Sequence, residues 1–503
     1  MRLRLLALFA FWLALPAAFA ATDPGPMLVR EPEAVALLDR GRTQMIAFQL
    51  DAAEATFERL GAQPSGRPAA LLHLSKVALW RAMILEQDAL YDRFFERSDA
   101  LLATLESMPE SPWRTHFRAE TELHRAVIHA KKTEYARAAF ALRQAYNHFE
   151  KNVTEHPAFF ESSWGMGLCH TAVGLVPKNF RWMLKLMGFG GTVQEGLAEM
   201  EASAARSAYY RDEASMIFAL TDLLVNDSKK GGMEYVVAMR RRHPTSPLVS
   251  YIHGFALLTQ RDATGAETAL RNAARQLQTP GTFTMPYVDY FLGEALFRQN
   301  EFAEAARYFQ RYVKTFPGQA LLAQAYLHVG LSLDMTGDRA GAIRAYERVR
   351  TREDYDSDAA ALREAKERIE APLTPRERAL LLGRNAFDGG RYREAVKAVQ
   401  PVLGDQQAPP IERAEAAYRS GRAYQVLKEW DEALRHYEFA INRPGDDLAK
   451  WGPWSLFYTG EVHEAMGNTA AARSAYERAL ANEQPYEYNK ALQQRAKAAL
   501  GRL

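Results

Sequence analysis

The chain has 503 residues, 48% of them apolar and 25% charged. That length exceeds what one core serves, so several domains or a repeat array are expected, and the balance argues against both disorder and a polytopic membrane protein. The formal net charge is +2, with 63 Lys and Arg against 61 Asp and Glu, so nucleic acid has no electrostatic footprint to meet.

Residues 1–20 have the form of a secretory signal. Arg2 and Arg4 precede an apolar run from Leu5 to Leu15, Pro16 ends it, and Ala18-Phe19-Ala20 fits signal peptidase. Removing this stretch takes away two arginines and no acid, leaving 61 charges of each sign. The expected destination is the periplasm, with secretion as the alternative. No cysteine follows the cleavage point, so no lipoprotein anchor is expected. Cys169, the single cysteine, stands between Leu168 and His170 and reads as a buried, inert thiol.

Residues 21–246 read as a divergent helical-repeat domain. One spacing appears first here: a Gly, an Ala 12 residues on, a large apolar residue 4 further, then an apolar residue 3 further, as Gly41, Ala53, Phe57 and Leu60. Ala126, Ala138, Leu142 and Ala145 keep it without the Gly, as do Leu220, Gly232, Val236 and Met239. Pro64-Ser65-Gly66 and the stretch Pro109 to Pro112 break the hairpins.

Trp164 to Gly191 stands apart. It is rich in Trp, Met, Phe and Leu, and its acid-free length carries only Lys178, Arg181 and Lys185 as fixed charges. One reading makes it an apolar hairpin buried between repeats. The other makes Trp164, Phe180, Trp182, Met183 and Phe189 a contact surface for a membrane or an apolar partner.

From 247 to 485 the spacing becomes regular. It recurs from Gly254, Gly293, Gly330, Gly383, Gly421 and Gly460, at intervals of 39, 37, 53, 38 and 39 residues. Small residues let two antiparallel helices approach, and the large residue four beyond the Ala is expected to fill the gap to the next hairpin. Turn residues fall between the helices at Asn300, Gly337-Asp338, Gly389-Gly390 and Gly467-Asn468. The long interval holds an extra helix from Asp358 to Glu370, ended by Pro372 and Pro375. Residues 486–503 form a polar capping helix with Leu492, Ala496 and Ala499 on one face.

This pattern resembles the tetratricopeptide repeat, a helix-turn-helix unit of about 34 residues. The resemblance implies an all-α solenoid of hairpins in a right-handed superhelix, with a concave surface lined by first helices. A second resemblance lies in Gly174-Leu175-Val176-Pro177, the apolar helix after it, Gly188-Phe189-Gly190-Gly191 and Gly196-Leu197. These look like the signature of the tetratricopeptide-repeat 39 / inclusion-body-clearance family, helical-repeat adaptors linked to lipid-droplet and inclusion handling in eukaryotic cells.

Motifs of catalysis are missing: no Gly-x-Ser-x-Gly, no phosphate-binding loop, no His-Glu-x-x-His. His124 and His129, five apart, do not share a helix face. Asp354, Asp356 and Asp358 alternate as in a calcium loop, but Ala359 and Ala365 replace its Gly and Glu. No cofactor or metal is therefore expected, and an enzyme is the remote alternative. The expected function is an exported, non-catalytic scaffold that binds a protein or peptide in its groove; a membrane-associated adaptor acting through 164–191 is the second reading. Standard repeat geometry assigns Tyr287, Tyr290, Glu294, Arg298, Arg384, Tyr418, Arg422, Trp454, Phe457 and Glu461 to the groove.

Overall fold

The computed structural model describes residues 26–176, 181–186, 188–225, 230–351, 356–442, 450–481, 486 and 488–503. Among these residues the chain is all-α, with 25 α-helices packed largely as consecutive hairpins. It divides into two compact units: residues up to 83 with 87–218, and residues 84–86 with 219–503.

The first unit contains α1 (Pro32–Ile46), α2 (Leu50–Gly61), α3 (Arg67–Leu85), α4 (Asp88–Glu106), α5 (Pro112–Lys131), α6 (Tyr135–Glu155), α7 (Ser163–Leu175), α8 (Arg181–Leu186) and α9 (Val193–Arg206). The division falls inside α10 (Arg211–Val225), earlier than the boundary expected at 246/247. Helix α7 pairs with α9, and its Trp164, Met166, Cys169 and Val173 are buried. Burial pushes the Cys169 thiol up to about 12, the behaviour of an inert side chain.

A charged cluster lies inside this unit. The Lys76 ammonium is 3.1 Å from Glu120 and 3.3 Å from Glu213, and it sits 4.9 Å above the Tyr210 ring. Tyr210 donates its hydroxyl proton to Glu120, and His116 and His124 stand 3.6 and 3.8 Å from the same carboxylate. Burial opposes the charge on Glu120, but Lys76 outweighs it and holds the carboxyl at about 2. Burial pushes both imidazoles down to about 4, with Lys76 adding to it.

The second unit runs through α11 (Lys230–Arg242), α12 (Pro247–Thr259), α13 (Ala263–Gln276), α14 (Tyr287–Arg298), α15 (Phe302–Thr315), α16 (Leu322–Thr336), α17 (Arg339–Tyr346) and α18 (Asp356–Glu370). It continues with α19 (Pro375–Asp388), α20 (Tyr392–Gly404), α21 (Pro410–Val426), α22 (Trp430–Ile441), α23 (Trp451–Ala465), α24 (Thr469–Leu480) and α25 (Asn489–Leu500). Starts are capped where the sequence offers an oxygen: Ser246, Asp262 and Asp338 each accept a backbone N–H three residues on, and Thr374 with Glu377 forms a capping box. Helix α25 buries Leu492, Ala496 and Ala499 beside α24.

The recurring Gly has one job throughout. A Cβ built there would lie 2.3 Å from Phe57 at Gly41, 2.2 Å from Tyr346 at Gly330, 2.6 Å from Tyr437 at Gly421 and 2.4 Å from Tyr476 at Gly460. The large residue 16 positions on therefore packs on the Gly of its own hairpin, and Phe309 and Tyr437 also reach His328 and Tyr458 of the next, as expected. Seven residues after each Gly the chain turns through the left-handed region, at Gly337, Gly390 and Gly467 but also at Arg261, Asn300 and Lys428.

Candidate protein-binding cleft

A cleft of about 660 Å³ opens in the second unit. Three helices each contribute one stripe at helical spacing: Arg363, Glu364, Glu367 and Arg368 from α18; Glu377, Leu380, Leu381 and Arg384 from α19; Ile411, Glu412, Glu415 and Arg419 from α21. Lys450 and Trp451 at the start of α23 and Tyr488 before α25 close one end. The extra helix read from the long repeat interval is thus one wall of the cleft.

Most cleft charges are already matched. Arg368 lies 2.8 Å from Glu377, whose carboxylate also accepts the Thr374 N–H at 2.8 Å. Burial opposes ionisation of Glu377, yet these donors hold its pKa below the ordinary value. Arg376 bridges Glu412 at 2.8 Å and Asp405 at 3.1 Å. Arg419 pairs with Glu415 one turn away and stacks 5.5 Å from the Trp451 ring, over which Lys450 also lies at 4.8 Å. Arg384 and Glu364 line the cleft, are partly buried, and make no ion pair with any described residue.

Of the ten groove residues expected from repeat geometry, Arg384 lines this cleft. Tyr290, Glu294 and Phe457 are corrected: they are buried and face no open groove. Tyr290 packs on Phe309 and Tyr312, and Phe457 on Tyr476. Glu294 binds His328 at 2.8 Å and Arg298 at 3.3 Å, partners that overcome its burial and hold its carboxyl at about 2. The physical reason is that α15 and α16 close over Tyr290 and Glu294 and α24 over Phe457, while α19 packs on the C-terminal end of α14. Asn385 donates to the Phe297 carbonyl at 2.8 Å and Arg391 to the Arg298 carbonyl at 2.9 Å, which satisfies the open end of α14.

The remaining assigned residues are engaged locally. Tyr287 donates its hydroxyl to Glu86 at 2.9 Å, and Arg298 donates to the Leu258 carbonyl at 3.0 Å. Arg422 lies 3.5 Å over the Tyr458 ring and 4.0 Å from Glu461. Tyr418 packs on Trp451 and Trp454 on Tyr458, while Glu461 accepts from Gln425 at 3.0 Å. On α21 the expected stripe, Tyr418 and Arg422, runs one residue out of phase with the cleft stripe of Glu415 and Arg419. Within 164–191, Trp164 and Phe189 are buried and Trp182 is 67% exposed. Met183 lies on α8, but its side chain, like the whole of Phe180, lies outside the described residues; Asp354 of the calcium-like run lies outside them too.

Family models agree with the repeat geometry in the second unit. A tetratricopeptide-repeat family model matches residues 253–320 and 380–447, and a second one matches 454–483. No curated protein matches the sequence. Among solved structures, the Cut9–Hcn1 hetero-tetramer of the APC/C is 16% identical, with 92% of this chain and 96% of that one covered and a TM-score of 0.27. Human IFIT1, as a dimer with PPP-AAAA, is 15% identical, with 90% and 95% covered and a TM-score of 0.32. Yeast Tom70 is 10% identical, with 90% and 99% covered and a TM-score of 0.33. With the packing of a large side chain on the Gly of each hairpin and the family matches at 253–320, 380–447 and 454–483, this part of the chain is built of tetratricopeptide repeats.

Proposed function

We propose that the chain is an exported, non-catalytic scaffold that holds a segment of a protein partner in the cleft between α18, α19, α21 and α23. The observation that carries this reading is the convergence of three charged and apolar stripes on one cleft, with Arg384 unmatched by any acid among the described residues. Arginine and tryptophan in such a setting are the residue types that dominate protein-binding energies. The described lining contains Arg, Glu, Lys, Leu, Ile, Ala, Trp and Tyr, but no Ser, Thr, Cys or His, so it lacks the usual parts of a nucleophile–base pair.

The test is calorimetry of the purified partner with variants of the chain. Arg384→Glu should weaken binding at least about tenfold, because it reverses a cleft charge that no described acid matches. Tyr287→Phe, outside the cleft, should leave binding unchanged. Equal affinities for the parent chain and Arg384→Glu would remove the cleft from the account. Export rests on residues 1–20 alone: the chain recovered from its host should begin at Ala21, and recovery of intact Met1 in the soluble cytoplasm would refute it.

A further inference from the structure

We propose that the face of the first unit formed by α8 and the adjoining exposed side of α6 docks on an anionic bilayer surface. This is a site separate from the cleft and does not depend on it. From Ser162 to Gln194 the sequence has no Asp or Glu, while Lys178, Arg181 and Lys185 lie within that run. The structure divides the run in two. Its first part is core, with Trp164, Met166, Cys169 and Val173 buried on α7. Its second part turns outward: Leu175 is 58% exposed, Trp182 67% and Leu186 80%.

Trp182 and Leu186 are four residues apart and share one face of α8, with exposed Lys185 beside them. A six-residue helix that puts a Trp and a Leu into water buries neither where a soluble helix would. The patch nevertheless stands on a fixed base. Just beyond α8, Phe189 is buried against the Tyr146 ring at 5.2 Å, with the Arg143 guanidinium 5.1 Å from it, and Gly190 donates its N–H to the Tyr146 hydroxyl at 3.1 Å. One turn before Arg143 on α6, Phe140 is a further exposed apolar side chain, at 68%.

The charge around this patch selects the occupant. The first acids after the run are engaged by the protein: Glu195 accepts from Thr192 at 3.0 Å, and Glu199 lies 2.8 Å from His170. Exposed Trp and Leu beside Lys185, in a run whose sequence holds no acid, match the boundary between acyl chains and anionic headgroups.

The test is flotation of the purified chain with vesicles of pure phosphatidylcholine and with vesicles that also contain phosphatidylglycerol. The chain should float with the anionic vesicles, remain behind with the neutral ones, and be released by high salt. Trp182→Ala with Leu186→Ala should lower the partition coefficient by about tenfold or more, and Lys185→Glu by about fivefold. Circular dichroism melts of each variant check that the fold persists, and Lys185→Glu alters a single exposed side chain, so it stays informative if the double variant unfolds. Absence of flotation, equal flotation with both vesicles, or flotation indifferent to these substitutions would overturn the proposal. So would a stable protein complex lost in Trp182→Ala/Leu186→Ala when no vesicle is bound.

Discussion

In each hairpin of the second unit one glycine decides how closely two helices approach, and one residue in the facing helix must answer it. At Gly330, Gly421 and Gly460 the answer is Tyr346, Tyr437 and Tyr476, whose buried hydroxyls need acceptors. Asp334, Gln425 and Glu464, four residues after each Gly, supply them at 2.9, 2.6 and 2.8 Å. Where the facing residue is Leu270, Phe309 or Val399, the same position holds Leu258, Phe297 or Phe387 and no acceptor. The Gly and the large residue were legible as a spacing, but the acceptor was not: it is a polar residue on a buried face, and only the hydroxyl it serves explains it. Gly460→Ala should cost about 1–3 kcal/mol in urea unfolding, because a Cβ there meets the Tyr476 ring. Glu464→Leu should cost about 1–3 kcal/mol alone. In a Tyr476→Phe background the added cost should nearly vanish, and a double-mutant cycle showing no coupling would contradict the pairing.

The elements followed the sequence closely where periodicity was local and failed where packing was distant. The extra helix α18 and the terminal α25 were readable from their own residues. The groove assignment for α14 was not, because α15 and α16 close over Tyr290 and Glu294, and no spacing in α14 announces His328 or the Asn385 and Arg391 that meet its end. The turns show a milder mismatch. Lys428 occupies the left-handed position that Gly467 fills in the next hairpin. Lys428→Gly should therefore raise stability by up to about 1 kcal/mol, read as a shift in the denaturation midpoint.

Between α3, α5 and α10 the buried cluster predicts acid sensitivity, which scattered histidines alone do not announce. His116 and His124 are held neutral down to about 4, below the ordinary 6.5, so the folded chain binds fewer protons than the unfolded one between those values. Their contribution is complete above pH 6.5 and is lost as pH falls towards 4, by roughly 3 kcal/mol apiece at most. The Glu120 contribution follows with the same sign as pH falls from 4.5 towards 2. Stability measured by urea at pH 7 and pH 4.5 should differ by several kcal/mol, and a flat profile would contradict the burial of these groups. Lys76→Met should cost about 3–5 kcal/mol, since it removes the one ammonium beside the buried charge of Glu120 and leaves Glu213 to Arg42 alone.

At the scale of the molecule, the repeat class was written in the Gly spacings, whereas the division inside α10 was not, because no composition change marks it. The account assigns a different surface to each unit: a charged cleft in the second and an apolar, cationic face in the first. The central claim is that the cleft holds a protein segment. Its most direct test is photo-crosslinking in the native host, with a photoreactive residue placed in the full chain at position 384, 415 or 451 and, as a control, at exposed Arg435 on α22. The account predicts that the three cleft positions link to the same segment of one partner and that position 435 does not. Links scattered over unrelated proteins, or equal yields from the cleft and from position 435, would contradict it.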